Sequence, residues 1–87
     1  MKPTMTIDDD GTKRWCLNGK HHRENEPAVE YKDGTKCWYL NGKYHREDGP
    51  AIEFMDGTKF WYLNGVKYSE GEFKIEMRKR KLELMGL

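Results

Sequence analysis

No stretch of this chain approaches the roughly 18 consecutive apolar residues of a membrane span, so a membrane-embedded protein is not expected. Lys2 and Pro3 lead into polar residues rather than an apolar run, and no secretory leader is expected either. Cysteine is scarce: Cys16 and Cys37 are the only two, which excludes a disulfide-stapled scaffold and points to a reduced, cytoplasmic setting. There is no excess of charge of one sign. A formal net charge of +1 argues against a general nucleic-acid binder and against an acidic nucleic-acid mimic. With 87 residues the chain forms one domain at most.

Charged residues make up 36% of the chain, a polarity that alone suggests disorder. Three Trp, five Tyr and three Phe argue otherwise, because each ring can bury a large apolar area. A thin folded sheet with little enclosed core reconciles the two.

The chain repeats itself. Asp10-Gly11-Thr12-Lys13 recurs as Asp33-Gly34-Thr35-Lys36 and as Asp56-Gly57-Thr58-Lys59, a period of 23. Trp15, Trp38 and Trp61 are equivalent, as are Asn18-Gly19, Asn41-Gly42 and Asn64-Gly65. His22-Arg23-Glu24 matches His45-Arg46-Glu47, and Pro27-Ala28-Val29-Glu30 matches Pro50-Ala51-Ile52-Glu53. The single domain, 1–87, divides into a partial repeat strand at 1–9, repeats at 10–32, 33–55 and 56–68, and a C-terminal segment at 69–87.

Asp-Gly and Asn-Gly both suit two-residue type I′ turns, and the runs between them alternate with period two. The fold class is therefore mainly β, an antiparallel meander of stacked hairpin units. One repeat cannot bury its own Trp, whereas a stack of them can. A two-residue Asp33-Gly34 turn would set Val29 opposite Trp38 and Tyr31 opposite Lys36. The core face would then hold Trp15, Leu17, Val29, Tyr31, Trp38, Leu40, Ile52, Phe54, Trp61 and Leu63. The other face, with Cys16, Tyr39, Phe60, Tyr62, Glu30 and Glu53, would meet solvent or a partner. The Asn-Gly turns place His22 opposite Trp15, His45 opposite Trp38 and Tyr68 opposite Trp61. These six rings are the expected structural core. Because Tyr68 replaces the last histidine, stacking explains the position better than acid–base or metal chemistry does.

The Asp33-Gly34 and Asn41-Gly42-Lys43-x-His45 spacing resembles MORN repeats over about residues 10 to 68. The His45-Arg46-Glu47-Asp48-Gly49-Pro50-Ala51 wording is similar to tandem repeats of small bacteriophage and bacterial MORN-like proteins. It stands where MORN units usually carry a glycine-rich H-G-x-G. The resemblance implies an elongated, curved hairpin sheet whose work is protein–protein contact. It also implies a phage-encoded inhibitor of a host protein such as a defence nuclease, acting in the host cytoplasm. Lipid binding, proposed for some MORN proteins, is not expected from the changed wording.

After Tyr68 the pattern stops. Ser69 and Glu72 form a capping box, and a helix over about 70–85 follows, ending near Gly86. Phe73, Met77 and Leu84 form one stripe, expected to cap the sheet end. Ile75 and Leu82, with Met85 partly aligned, form another, expected to meet a foreign protein or a second copy in a homodimer. Arg78, Lys79, Arg80 and Lys81 point around the helix and read as a solvated end.

No chemistry is expected. His22 and His45 would project away from the cysteines, so no four-ligand metal set forms and no cofactor is implied. Cys16 and Cys37 sit on strands with another between them, about 9.6 Å apart and beyond the roughly 7 Å reach of a disulfide. Arg23-Glu24 and Arg46-Glu47 are expected as a cross-repeat ion-pair ladder. A thin sheet offers no enclosed cleft, so an enzyme is not expected. The partner-binding candidates are Tyr39, Phe60, Tyr62, Arg23 and Arg46 on the sheet and Ile75, Leu82 and Met85 on the helix. The competing readings are a nucleic-acid module stacking bases on Tyr39, Phe60 and Tyr62, and a self-associating structural repeat.

Overall fold

A computed structural model describes residues 2–86; Met1 and Leu87, the outermost residues of the first and last segments above, lie outside the described residues. The strands are β1 (Thr4–Ile7), β2 (Lys13–Leu17), β3 (Lys20–His21), β4 (Val29–Glu30), β5 (Lys36–Cys37), β6 (Tyr39–Leu40), β7 (Lys43–Tyr44), β8 (Ile52–Glu53), β9 (Lys59–Leu63) and β10 (Val66–Tyr68). One helix, α1 (Glu70–Leu84), follows. All pairings are antiparallel, in the order β1-β2-β4-β5-β8-β9-β10, with β3 on β2 and a separate β6-β7 pair. The principal-axis extents, 48 × 33 × 16 Å, describe a slab close to one sheet thick.

The Asn-Gly turns are two-residue turns. Asn18, Asn41 and Asn64 have φ of 53, 51 and 49°, and the glycines after them 77, 80 and 81°. That is the left-handed pair a type I′ turn needs. They set Tyr68 opposite Trp61, and the His22 and His45 amides donate to the Trp15 and Trp38 carbonyls.

The Asp-Gly turns differ. Tyr31 N–H donates to Thr35 O at 2.9 Å and Gly34 N–H to Tyr31 O at 3.0 Å, enclosing Lys32, Asp33 and Gly34 in a three-residue loop. Only Gly34 takes a positive φ, 98°. Asp33 Oδ1 instead accepts from Thr35 N–H at 2.8 Å, holding the aspartate in an Asx turn. The bond recurs at Asp10–Thr12 and Asp56–Thr58.

The extra loop residue shifts the pairing by one. Val29 faces Cys37 and Glu30 faces Lys36, not Val29 facing Trp38. A one-residue shift moves side chains to the opposite face, so the expected core face is corrected. Val29 and Ile52 join Cys37 in a buried cluster on the other face, roofed by Tyr39, Tyr44, Phe60 and Tyr62. Tyr31 and Phe54, expected inside, are each 40% exposed. The tryptophan face keeps Trp38 and Leu63, both buried, with Trp15 and Trp61 half-buried, and gains the buried Ala28 and Ala51.

That face is knitted by two contacts recurring at the period. The Arg23 guanidinium lies 3.8 Å over the Trp15 ring, and Arg46 lies 3.8 Å over Trp38. Arg23 pairs with Glu26 and Glu30, and Arg46 with Asp48 and Glu53, so the expected cross-repeat ladder is corrected to pairs within each repeat. The stack draws each guanidinium down to its own ring and its own carboxylates. Repeats are joined by histidine: His22 Nδ1 accepts from Asn41 N–H at 3.0 Å, and His45 Nδ1 from Asn64 N–H at 2.9 Å. Tyr68 is followed by α1 instead of another Asn-Gly hairpin, so a histidine there would have no turn amide of this kind to accept from.

The capping box forms as expected: Ser69 Oγ accepts from Glu72 N–H, and Glu72 Oε1 from Ser69 N–H. Acidic Glu70 and Glu72 in the first turn and basic Lys81 in the last suit the helix dipole. Phe73 is buried and Met77 half-buried where α1 lies on β9 and β10. Leu84, expected to join them, is 90% exposed, a correction. A 15-residue helix is about 22 Å long, and Leu82 and Leu84 in its last turn are exposed.

Candidate partner-binding surface

Three features compete for a functional role. The first is the distal half of α1. Its backbone is fixed from the N-terminal end by the Ser69 cap and the buried Phe73. Ile75, Leu82, Leu84 and Met85 are exposed, 43% for Leu82 and 60% or more for the others. Arg78, Lys79 and Lys81 are exposed among them, while Arg80 is held by Glu76 at 3.1 Å. From Arg78 to Leu84 there are four basic residues and one acidic, Glu83, a local charge of +3. Apolar side chains in a basic surround suit an acidic protein surface with an apolar centre.

The second is the aromatic face. His21, Tyr39, Tyr44 and Tyr62 run as a row, with successive ring centroids 5.0, 4.5 and 5.0 Å apart. Tyr39, Phe60 and Tyr62 are half-buried because their rings cover Val29, Cys37 and Ile52. Burial, with the Tyr44 hydrogen bond next, pushes the Tyr39 phenol far above its ordinary range. Burial likewise raises the Cys37 thiol to about 11, leaving it a packing group rather than a nucleophile. Arg23 and Arg46, grouped with these rings by the sequence, lie on the opposite face, committed to Trp15 and Trp38. The sheet candidates therefore do not converge on one surface.

His21 ends the row, and burial, then the Arg14 charge, hold its pKa below 6.5. The fold thus favours neutral His21. As pH falls through 6.5 the unfolded chain binds the proton first, so stability drops toward acid. Thermal melts from pH 8 to 5 should show this fall, with a shallower slope for His21→Gln. Equal slopes would remove His21 as a contributor.

The third is a series of hollows over the tryptophan face. One of about 350 Å³ lies at Trp38, beside Arg46 and Glu47. Another of about 510 Å³ lies at Trp61, between the Glu47–Pro50 loop and α1. The first two features are signalled in the sequence and this one is not; the position of Arg23 and Arg46 relative to each Trp was the available signal.

Among the described residues no three of His, Cys, Asp or Glu gather as a metal-ion group. Cys16 and Cys37 are free thiols on β2 and β5, with β4 between them. No helix of the described residues is long and apolar enough to cross a membrane. No protein-family model, no curated protein and no solved structure matches the chain.

Proposed function

We propose that this chain is a non-enzymatic protein-binding module that docks an acidic partner surface through the distal half of α1. The observation that carries the reading is the exposed apolar stripe of Ile75, Leu82 and Met85, with the exposed basic residues Arg78, Lys79 and Lys81 around it. Such a set on a helix braced only at its base is costly to leave in water. The resemblance of the His45–Ala51 wording to small bacteriophage proteins is what suggests a bacterial host protein, such as a defence nuclease, as the partner, which the module would bind and inhibit in the cytoplasm.

Self-association and nucleic-acid binding are the alternatives. Two copies that set their 78–84 segments directly against each other would bring like charge together, which disfavours a parallel homodimer. Nucleic-acid binding through Tyr39, Phe60 and Tyr62 draws no support from rings that roof the core.

The test compares proteins captured from bacterial lysate by the tagged chain and by Leu82→Ser/Met85→Ser. The altered residues are exposed, so the melting temperature should stay within a few degrees. A stoichiometric protein captured by the parent should be lost from the variant. Capture that is unchanged in the variant, or that disappears on nuclease treatment, would reject the reading.

A further inference from the structure

The three tryptophans of the sheet are equivalent by sequence, but among the described residues only two carry a cation. Arg23 Cζ lies 3.8 Å over Trp15, and Arg46 Cζ lies 3.8 Å over Trp38. Each guanidinium also donates to the carbonyl of the proline four residues on, Pro27 at 3.2 Å and Pro50 at 3.0 Å. Carboxylates complete each set: Glu26 and Glu30 for Arg23, Asp48 and Glu53 for Arg46.

Carrying the 23-residue period past Tyr68 puts Ser69 where Arg23 and Arg46 stand. Ser69 is the α1 N-cap, and its hydroxyl is occupied by Glu72 N–H. The counterparts of Pro50 and Glu53 are Phe73 and Glu76, both inside α1, and Glu76 holds Arg80. The helix has thus taken over the residues that would have supplied and held a third arginine. The hollow at Trp61 is about 510 Å³, against about 350 Å³ at Trp38, and its lining has no guanidinium, whereas Arg46 stands in the hollow at Trp38. Glu47 and Asp48 enter the Trp61 hollow from the preceding repeat's loop, and Glu70 and Phe73 from α1. Lys59 and Lys74 also reach its wall, and Lys74 Nζ lies 3.5 Å from one oxygen of Glu70, leaving that carboxylate its second oxygen.

We propose that Trp61, with Glu47, Asp48 and Glu70, forms a docking hollow for an arginine side chain of the protein partner. The two filled copies are the template. A planar guanidinium can stack on the indole while its edge donors reach carboxylates, a combination an ammonium cannot reproduce. Glu47 already accepts from His45, and Asp48 from Arg46, through one oxygen each, so each carboxylate is held in place with a second oxygen to offer. The assignment rests on the protein-binding reading for its partner, but the recognition itself does not need that partner.

The full chain, labelled with ¹⁵N, is titrated with N-acetyl-arginine amide while the three indole N–H signals are followed. The Trp61 signal is expected to move saturably. The Trp15 and Trp38 signals, whose rings carry their own arginines, should stay in place. The lysine counterpart should bind about fivefold more weakly, and the neutral citrulline counterpart should leave Trp61 unmoved. Ser69→Arg places a guanidinium at the third position from within and should abolish the response. Ser69→Ala, which loses the same cap but leaves the hollow empty, should keep it. A Trp61 signal that ignores the arginine probe, or answers citrulline equally, overturns the proposal. A silent titration alongside capture that still depends on Leu82 and Met85 would remove the hollow and leave the helix reading standing. A positive titration with unchanged capture would do the reverse.

Discussion

Trp38→Ala is expected to destabilise the fold by about 3–5 kcal/mol, the usual cost of emptying a large buried ring site. Trp38 is 7% exposed and sits at the centre of the three equivalent tryptophans. Its amide donates to Ala51 O at 2.7 Å, its carbonyl accepts from His45 N–H at 3.0 Å, and its ring carries Arg46. The alanine keeps the two backbone bonds but leaves Arg46 without its platform and its carboxylates over a void. Small domains have only about 5–15 kcal/mol in total, so the variant should be largely unfolded near body temperature. Trp38→Phe should cost much less, because it keeps a ring and removes an indole N–H that has no partner among the described residues. Urea titrations of the three proteins decide it. An alanine variant with the parent's midpoint would show that the tryptophan face contributes little.

His45→Ala is expected to cost about 2–3 kcal/mol, combining a lost buried side chain with a lost hydrogen bond. His45 is 8% exposed. Its Nδ1 accepts from Asn64 N–H while Nε2 faces Glu47 at 3.0 Å, so one ring ties the second repeat both to the turn of the third and to its own loop. His22→Ala should cost less, because His22 is only half-buried. Tyr68→His should be close to neutral, since α1 follows it instead of another Asn-Gly hairpin. Amide hydrogen exchange supplies a local readout: Asn64 N–H should lose protection selectively in His45→Ala. If it exchanges as in the parent, the histidine bridge does not hold the turn.

The parts of this fold that local residue chemistry decides could be read in advance. A type I′ turn requires positive φ at both positions and Asn-Gly tolerates it best, so the three Asn-Gly hairpins and their registers followed directly. The Ser69–Glu72 box likewise marked the start of α1. Asp-Gly looked equivalent and was not. A carboxylate two residues before Thr35 captures the threonine amide, and that bond holds Asp33 out of the left-handed region. The loop grows by one residue, and Val29 and Ile52 change faces. The errors over Tyr31 and Phe54 descend from that single residue. The other features hidden in the sequence are non-local. Nothing next to His22 announces that it serves the amide of Asn41, 19 residues on. Arg23 and Arg46 looked like surface charges because their tryptophans stand eight residues earlier. Ile75, Leu82 and Met85 could be assigned to a separate stripe by helical spacing, but that Leu84 is left exposed required the packed structure.

The central claim is that the distal half of α1 is left free for a foreign acidic partner. Light scattering of the chain across a hundredfold concentration range tests it most directly. A constant mass near 10.4 kDa is the predicted result, since it leaves Ile75, Leu82 and Met85 uncovered in solution. A mass of twice that value, falling back to the monomer in Leu82→Ser/Met85→Ser, would contradict the claim and assign the surface to a second copy of the same chain.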